Sequence, residues 1–261
     1  MLPTIAAVQN IHVIAAYRFV DIDGGPTLRA RLEPAAAQAG LKGTVLIAPE
    51  GINISLAGAA AAVHGWLALL QEDARFAGID VKTHQAQTLP FGRLRFKLKR
   101  EIIRMNELGI RPQNGRAPTV DAATLQRWLD AGRCDAGRPV ALLDTRNAFE
   151  VDAGSFDGAV DWRLAKFSEF PAALQAHQAD LHDKTVVSFC TGGIRCEKAA
   201  LWMAQTGLPN VFQLDGGILR YFEDTAGAPH WHGDCVVFDE RGALDPVLQA
   251  VPVAAPARAD A

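Results

Sequence analysis

The chain has 261 residues, 49% of them hydrophobic and 21% charged, with a formal net charge of −3. That length suits about two domains at roughly 100 to 200 residues each, and the composition excludes a disordered or fibrous protein. Four cysteines, Cys134, Cys190, Cys196 and Cys235, are too few and too unevenly spaced for a disulfide framework.

They read instead as thiols of a reducing, cytoplasmic setting. The opening Met1-Leu2-Pro3-Thr4 has no basic stretch of the kind a secretory leader needs. No window offers the roughly 18 unbroken apolar residues of a membrane helix, so no membrane association is expected.

In chain order, Ile11 to Val20 is a β-branched and aromatic run that predicts a strand. Pro26 to Ala39 has helical composition and stops at Gly40. Thr44 to Ala48 and Ile52 to Leu56 are short apolar runs joined through Pro49-Glu50-Gly51, a turn-linked strand pair. Ala59 to Leu70 carries Val63, Trp66, Leu67 and Leu70 at helical spacing, and Ile79 to His84 alternates as a strand. Strand, helix, strand, strand, helix, strand is the split βαβ order, so residues 1–90 are assigned to a ferredoxin-like α+β domain.

Phe91 to Arg116 holds eight basic residues, Arg93, Arg95, Lys97, Lys99, Arg100, Arg104, Arg111 and Arg116, against Glu101 and Glu107. This segment is about +6, leaving the remaining chain near −9. An acidic body with one basic strip fits a protein that holds a polyanion in one place, and a solvated linker is the plain alternative. The segment 91–117, ending in the Pro112 to Pro118 loop, is assigned as a basic linker.

Beyond it the pattern becomes helix and strand by turns: Asp121 to Asp130, Val140 to Leu143, Glu169 to Gln178, Thr185 to Phe189, Ile194 to Thr206, Asn210 to Leu214. Short, continuously apolar strands predict a parallel sheet covered on both faces, an α/β domain over 118–225. After Tyr221 the periodicity is lost. Residues 226–261 form a C-terminal extension whose Ala/Pro end, from Val251, is expected to be disordered.

The segment Phe189-Cys190-Thr191-Gly192-Gly193-Ile194-Arg195-Cys196-Glu197-Lys198 carries the chemistry. A strand ends at Cys190, a Gly-Gly turn follows, and a helix begins near Ile194. The sulfur is therefore expected among inward-pointing amides at a helix N-terminus, where a thiolate is stabilised. Arg195 is positioned to lower its pKa further or to bind an anionic group, and the two glycines are expected to supply unusual dihedrals. Cys196 reads either as a second functional thiol or as a small buried helix residue. Asp144 and Arg146 are expected to brace the loop. His230, His232 and Cys235 have ligand side chains but no fourth partner, so no metal is expected.

Cys190 to Arg195, with Leu143-Asp144-Thr145-Arg146 before it and Leu214-Asp215-Gly216-Gly217-Ile218 after it, resembles the landmarks of a rhodanese domain. Only four residues stand between Cys190 and Arg195, one fewer than in the related phosphatases, which favours sulfur or thiol chemistry. The remaining chain resembles the bacterial oxygen-dependent tRNA uridine hydroxylases. The matching segments are Gly40 to Asn53, Lys97-Leu98-Lys99-Arg100-Glu101-Ile102-Ile103, Cys190 to Lys198, and Gly233-Asp234-Cys235-Val236-Val237-Phe238-Asp239-Glu240-Arg241. The chain departs in ending on an Ala/Pro tail rather than the cysteine-bearing extension of longer members, and Asn53-Ile54-Ser55 lacks a glycine frequent there.

The resemblance implies an enzyme that converts the wobble uridine of tRNA to 5-hydroxyuridine, with dioxygen as co-substrate and Cys190 as catalytic cysteine. A sulfurtransferase carrying a persulfide on Cys190 is the alternative. The anticodon loop is the implied partner, held by Arg93, Arg95, Lys97, Lys99, Arg100 and Arg104. The electron donor is not readable, since no dinucleotide fingerprint follows a strand. No tryptophan is assigned a base-stacking role.

Overall fold

A computed structural model describes residues 11–251, and the chain divides into two compact units between Ile102 and Ile103. The Ala/Pro tail expected to be disordered lies outside the described residues from position 252 onward. No helix among the described residues is long and apolar enough to cross a membrane.

The first unit runs β1 (Ile11–Phe19), α1 (Gly25–Gln38), β2 (Lys42–Ala48), β3 (Gly51–Ala59), α2 (Ala60–Gln71), β4 (Val81–Ala86) and β5 (Leu94–Leu98). β4-β1-β3-β2 form an antiparallel sheet, the order of the split βαβ unit. Pro26 opens α1, where a missing amide proton costs nothing, and Leu28, Leu32 and Ala36 recur every four residues as its buried stripe. α2 buries Val63, Trp66 and Leu70, and the Trp66 indole donates to the Leu32 carbonyl at 3.1 Å. Both stripes pack on Ile14, Val45, Ile47, Ile52, Ile54 and Leu56.

The basic segment is not a linker throughout. Leu94–Leu98 forms β5, parallel to β2 with Thr44 opposite Arg95 and Leu46 opposite Lys97. Leu94, Phe96 and Leu98 alternate with the charges at the period of a strand. Phe96 enters the core beside Trp66, so Arg95 and Lys97 lie on the sheet face opposite the two helices. The density of charge hides this pattern from a composition reading. The Glu50 carboxylate then accepts from the Ile102 amide at 2.7 Å, and Asn53 Nδ2 donates to the Ile102 carbonyl at 3.3 Å. The turn motif thus fastens the basic segment just after Arg100.

The second unit contains β6 (Thr119–Val120), α3 (Ala122–Ala131), β7 (Val140–Asp144), α4 (Ala148–Ala153), β8 (Gly154–Phe156), β9 (Val160–Asp161) and α5 (Phe170–His177). It continues with β10 (Thr185–Phe189), α6 (Ile194–Gln205), β11 (Val211–Leu214) and α7 (Gly217–Asp224). The sheet β6-β11-β10-β7-β9 is parallel at every pairing. Alternate residues of β10 divide between two cores: Val187 and Phe189 pack with α3 and α7, Val186 with α5 and α6.

Between Tyr221 and Val251 the chain keeps regular structure where periodicity is not readable. β12 (Trp231–Gly233) pairs with β8, and β13 (Cys235–Val236), β14 (Ala243–Leu244) and β15 (Ala250–Val251) form a small antiparallel sheet. Two- and three-residue strands are too short to show a period.

Candidate active site

The parallel arrangement delivers the end of β10 to the N-terminus of α6, with Cys190 between them. Its sulfur is fully buried and accepts a hydrogen bond from the Gly193 amide at 3.1 Å. Burial alone would raise the thiol pKa. The Cys196 thiol, the Arg195 charge and the amides of Arg195 and Cys196 outweigh burial and bring Cys190 down to about 5. Cys196 is displaced the other way: burial and the neighbouring thiolate hold it well above its ordinary value. One thiolate and one thiol thus share a proton between adjacent turns of chain.

The two loop glycines differ. Gly193 has φ 98° and caps α6 in the left-handed region. Gly192 has no such dihedral, and a Cβ there would meet nothing within 4 Å. The expectation that both supply unusual dihedrals is therefore corrected: only Gly193 must turn the chain into the helix. Thr191, Gly192 and Ile194 are the partly exposed residues of the loop.

The third landmark closes on this loop. The first amides of α7 meet its carbonyls, Ile218 N to Cys190 O at 3.0 Å and Leu219 N to Thr191 O at 3.1 Å. Gly217, at φ 68°, lies so close that a Cβ would stand 2.4 Å from the Cys190 carbonyl oxygen.

Arg195 is turned inward. Its guanidinium forms a two-pronged pair with Glu150, at 2.6 and 2.7 Å, and both side chains are buried. The arginine fork is committed to this carboxylate. Burial would raise the Glu150 pKa, but the Arg195 charge and hydrogen bonds hold it below its ordinary value.

Sequence pattern alone does not single out Glu150. Its signal is the Asn147-x-x-Glu150 spacing of a capping box, which marks the start of α4. Asn147 N donates to Glu150 Oε2 at 3.0 Å, so one carboxylate starts a helix and neutralises the loop arginine.

Asp144 and Arg146 are both buried and form a bidentate pair at 2.9 and 2.6 Å. Arg146 also donates to the Glu150 carbonyl at 3.3 Å and the Gly154 carbonyl at 2.6 Å, spanning α4 from the inside. It reaches the loop through α4 and Glu150. Thr145 touches more directly: its hydroxyl donates to Phe189 O at 2.9 Å and lies 3.7 Å from Cys196 Sγ.

After Cys196, Glu197 accepts from Arg116 at 2.7 Å and from Gln213 at 3.2 Å, and Lys198 donates to the Ile103 carbonyl at 3.1 Å. Of the six basic residues assigned to tRNA, Arg93, Lys99, Arg100 and Arg104 are exposed, and Arg104 falls in the second unit. His230 and His232 hydrogen-bond to Asp130 and Asp157 respectively, while burial pushes the Cys235 thiol up to about 12. Among the described residues no group of three or more His, Cys, Asp or Glu side chains could hold a metal ion.

Residues 11–102 match the UPF0176 acylphosphatase-like domain and residues 121–224 the rhodanese-like domain. A protein of Variovorax paradoxus named tRNA uridine(34) hydroxylase is 60% identical over 251 residues, 96% of this chain and 95% of that one. Proteins of the same name from Bordetella petrii and Burkholderia cenocepacia are 60% and 54% identical, each over 90% of this chain and over 93% and 84% of their own lengths.

Among solved structures, a human single-domain sulfurtransferase aligns at 29% identity and TM-score 0.35, over 42% of this chain and 99% of that one. An Anabaena rhodanese-like domain aligns at 18% identity and TM-score 0.36, over 44% of this chain and 79% of that one. With two domain matches in sequence and near-complete alignment to proteins at this identity, the chain belongs to the tRNA uridine(34) hydroxylase family.

Proposed function

We propose that this chain hydroxylates C5 of uridine 34 in tRNA, with Cys190 as the nucleophile and dioxygen as co-substrate. The observation that carries the assignment of Cys190 is its stabilised thiolate at the head of α6, in a chain 60% identical to named uridine hydroxylases over nearly its whole length.

C5 of uracil is a weak nucleophile until a group adds at C6, and a thiolate is an ordinary protein group for that addition. Cys190 Sγ bonds to C6, the 5,6 double bond opens, and C5 becomes enolate carbon able to take up oxygen. Loss of the C5 proton and expulsion of the thiolate restore the ring. One atom of dioxygen enters at C5 and the other leaves as water, which takes two electrons and two protons from a reductant. Because the sulfur is covered, C6 reaches it when Thr191 and Gly192 give way.

An anticodon-loop base is unpaired, so it enters such a site without melting a helix. The strip from Arg93 to Arg104 would contribute contacts to tRNA phosphates. The test is mass spectrometry of tRNA nucleosides from cells with and without the gene, and from cells carrying Cys190→Ser. The reading requires 5-hydroxyuridine and its derivatives to vanish in both. Full modification by Cys190→Ser overturns the role of the cysteine, and loss of a thiolated base instead makes the chain a persulfide carrier.

A further inference from the structure

Two phenylalanines stand out among the exposed side chains of the second unit. Phe149 is 40% exposed and Phe238 67%, and their rings meet edge to face with centroids 6.4 Å apart at 88°. An aromatic pair facing water loses burial it could have had in a core. Phe149 lies on α4, and Phe238 follows β13 in the Gly233 to Arg241 segment, which no step above uses.

Their place in the fold ties them to the cysteine loop. The Thr191 hydroxyl, one residue after Cys190, reaches the Glu150 carboxylate at 3.5 Å and the Val236 carbonyl at 3.4 Å. Phe149 immediately precedes Glu150, and Phe238 is two residues beyond Val236. The pair therefore rises from both backbone segments that flank the partly exposed edge of the loop.

We propose that Phe149 and Phe238 form a stacking platform for an unpaired RNA base adjacent to uridine 34, an inference that rests on the function proposed above. Edge-to-face packing on Phe149 holds the Phe238 ring upright. Its outer π face takes a base by stacking, which tolerates any base identity. Two rings suit this occupant better than an amphipathic helix, which needs anchors over several turns. Asp239, next to Phe238, is paired with Arg241 at 2.6 Å, so its own charge is offset. Phe149 and Phe238 are positioning residues that hold the anticodon loop while Cys190 reacts.

The experiment uses the full chain and an anticodon stem-loop RNA with 2-aminopurine at position 33 or, in a second arm, position 35. Stacking on Phe238 quenches the probe at one of the two positions, and that arm identifies the neighbour. Phe238→Leu keeps apolar bulk without a π face, and should weaken stem-loop binding and raise KM about 5- to 150-fold with kcat nearly unchanged. Phe238→Trp should restore both.

A wild-type gene that fails to restore 5-hydroxyuridine to the deletion strain, where the cell supplies the reductant, overturns the proposed function, and the platform with it. A wild-type chain that hydroxylates uridine 34 while Phe238→Leu matches it in quenching, binding and KM overturns the platform alone. A drop in kcat without a change in KM, or failure of Phe238→Trp to restore binding, also overturns it.

Discussion

At neutral pH an ordinary cysteine is largely protonated, whereas Cys190 is held as an anion in a site with no solvent contact. The proton arithmetic of the pair is testable. In the absorbance difference between wild type and Cys190→Ser, thiolate should appear through a midpoint near pH 5. Cys196→Ala removes the donated hydrogen bond. Its midpoint should rise by about one to two pH units, the equivalent of roughly 1.5 to 3 kcal/mol for a hydrogen bond to a charged group. An unmoved midpoint would leave the amides and Arg195 as the whole cause.

Glu150 is the other residue whose charge the site depends on. Replacing it by Gln strands a buried guanidinium, and urea unfolding should show a loss of about 3 to 5 kcal/mol. Because the folded pKa of Glu150 lies below its ordinary 4.5, its contribution is present above that value and fades as pH falls further. Glu150→Gln should therefore be less acid-sensitive than wild type in the same measurement. Equal slopes below pH 4.5 would contradict the linkage.

At the scale of elements, the loop is a junction of three pieces: the turn into α6, the cap of α4 and the first amides of α7. Gly217→Ala would drive a methyl group to 2.4 Å from the Cys190 carbonyl at a dihedral L residues resist. It should cost about 1 to 3 kcal/mol in unfolding and raise the Cys190 midpoint. Gly192→Ala, with open space around it, should change neither.

Sequence pattern shows the elements that carry long apolar runs, including β10 and the helix after Gly193. It misses β5, whose alternation is masked by Arg95 and Lys97, and α4, whose six residues give too little periodicity. Of the site, Cys190 and its loop are readable because a strand, two glycines and a helix start adjoin in sequence. Glu150 is not, because its partner Arg195 is 45 residues away. Phe149 and Phe238 look like core residues until their exposure is known.

For the whole molecule, an overall charge of −3 conceals a strip of opposite sign beginning on β5. If that strip meets tRNA phosphates, replacing Arg93, Lys97 and Lys99 together by Ala should weaken binding and flatten its dependence on salt. The logarithmic slope should fall by roughly 0.7 to 0.9 for each phosphate that the variant no longer neutralises. Binding titrations between low and moderate salt measure it, and an unchanged slope moves the tRNA-binding surface elsewhere.

The docking of α7 on the cysteine loop also sets when the reactive group comes into being. Cys190, its counter-charged neighbour Arg195 with the Glu150 carboxylate that holds that arginine, and the capping amides of Ile218 and Leu219 meet only when some seventy residues of chain have folded together. Until then the sulfur has the ordinary value of 9.0 and is ionised in roughly one molecule in a hundred at pH 7. A nascent or misfolded chain therefore carries an ordinary, accessible thiol at Cys190, and the finished fold both creates the thiolate and covers it.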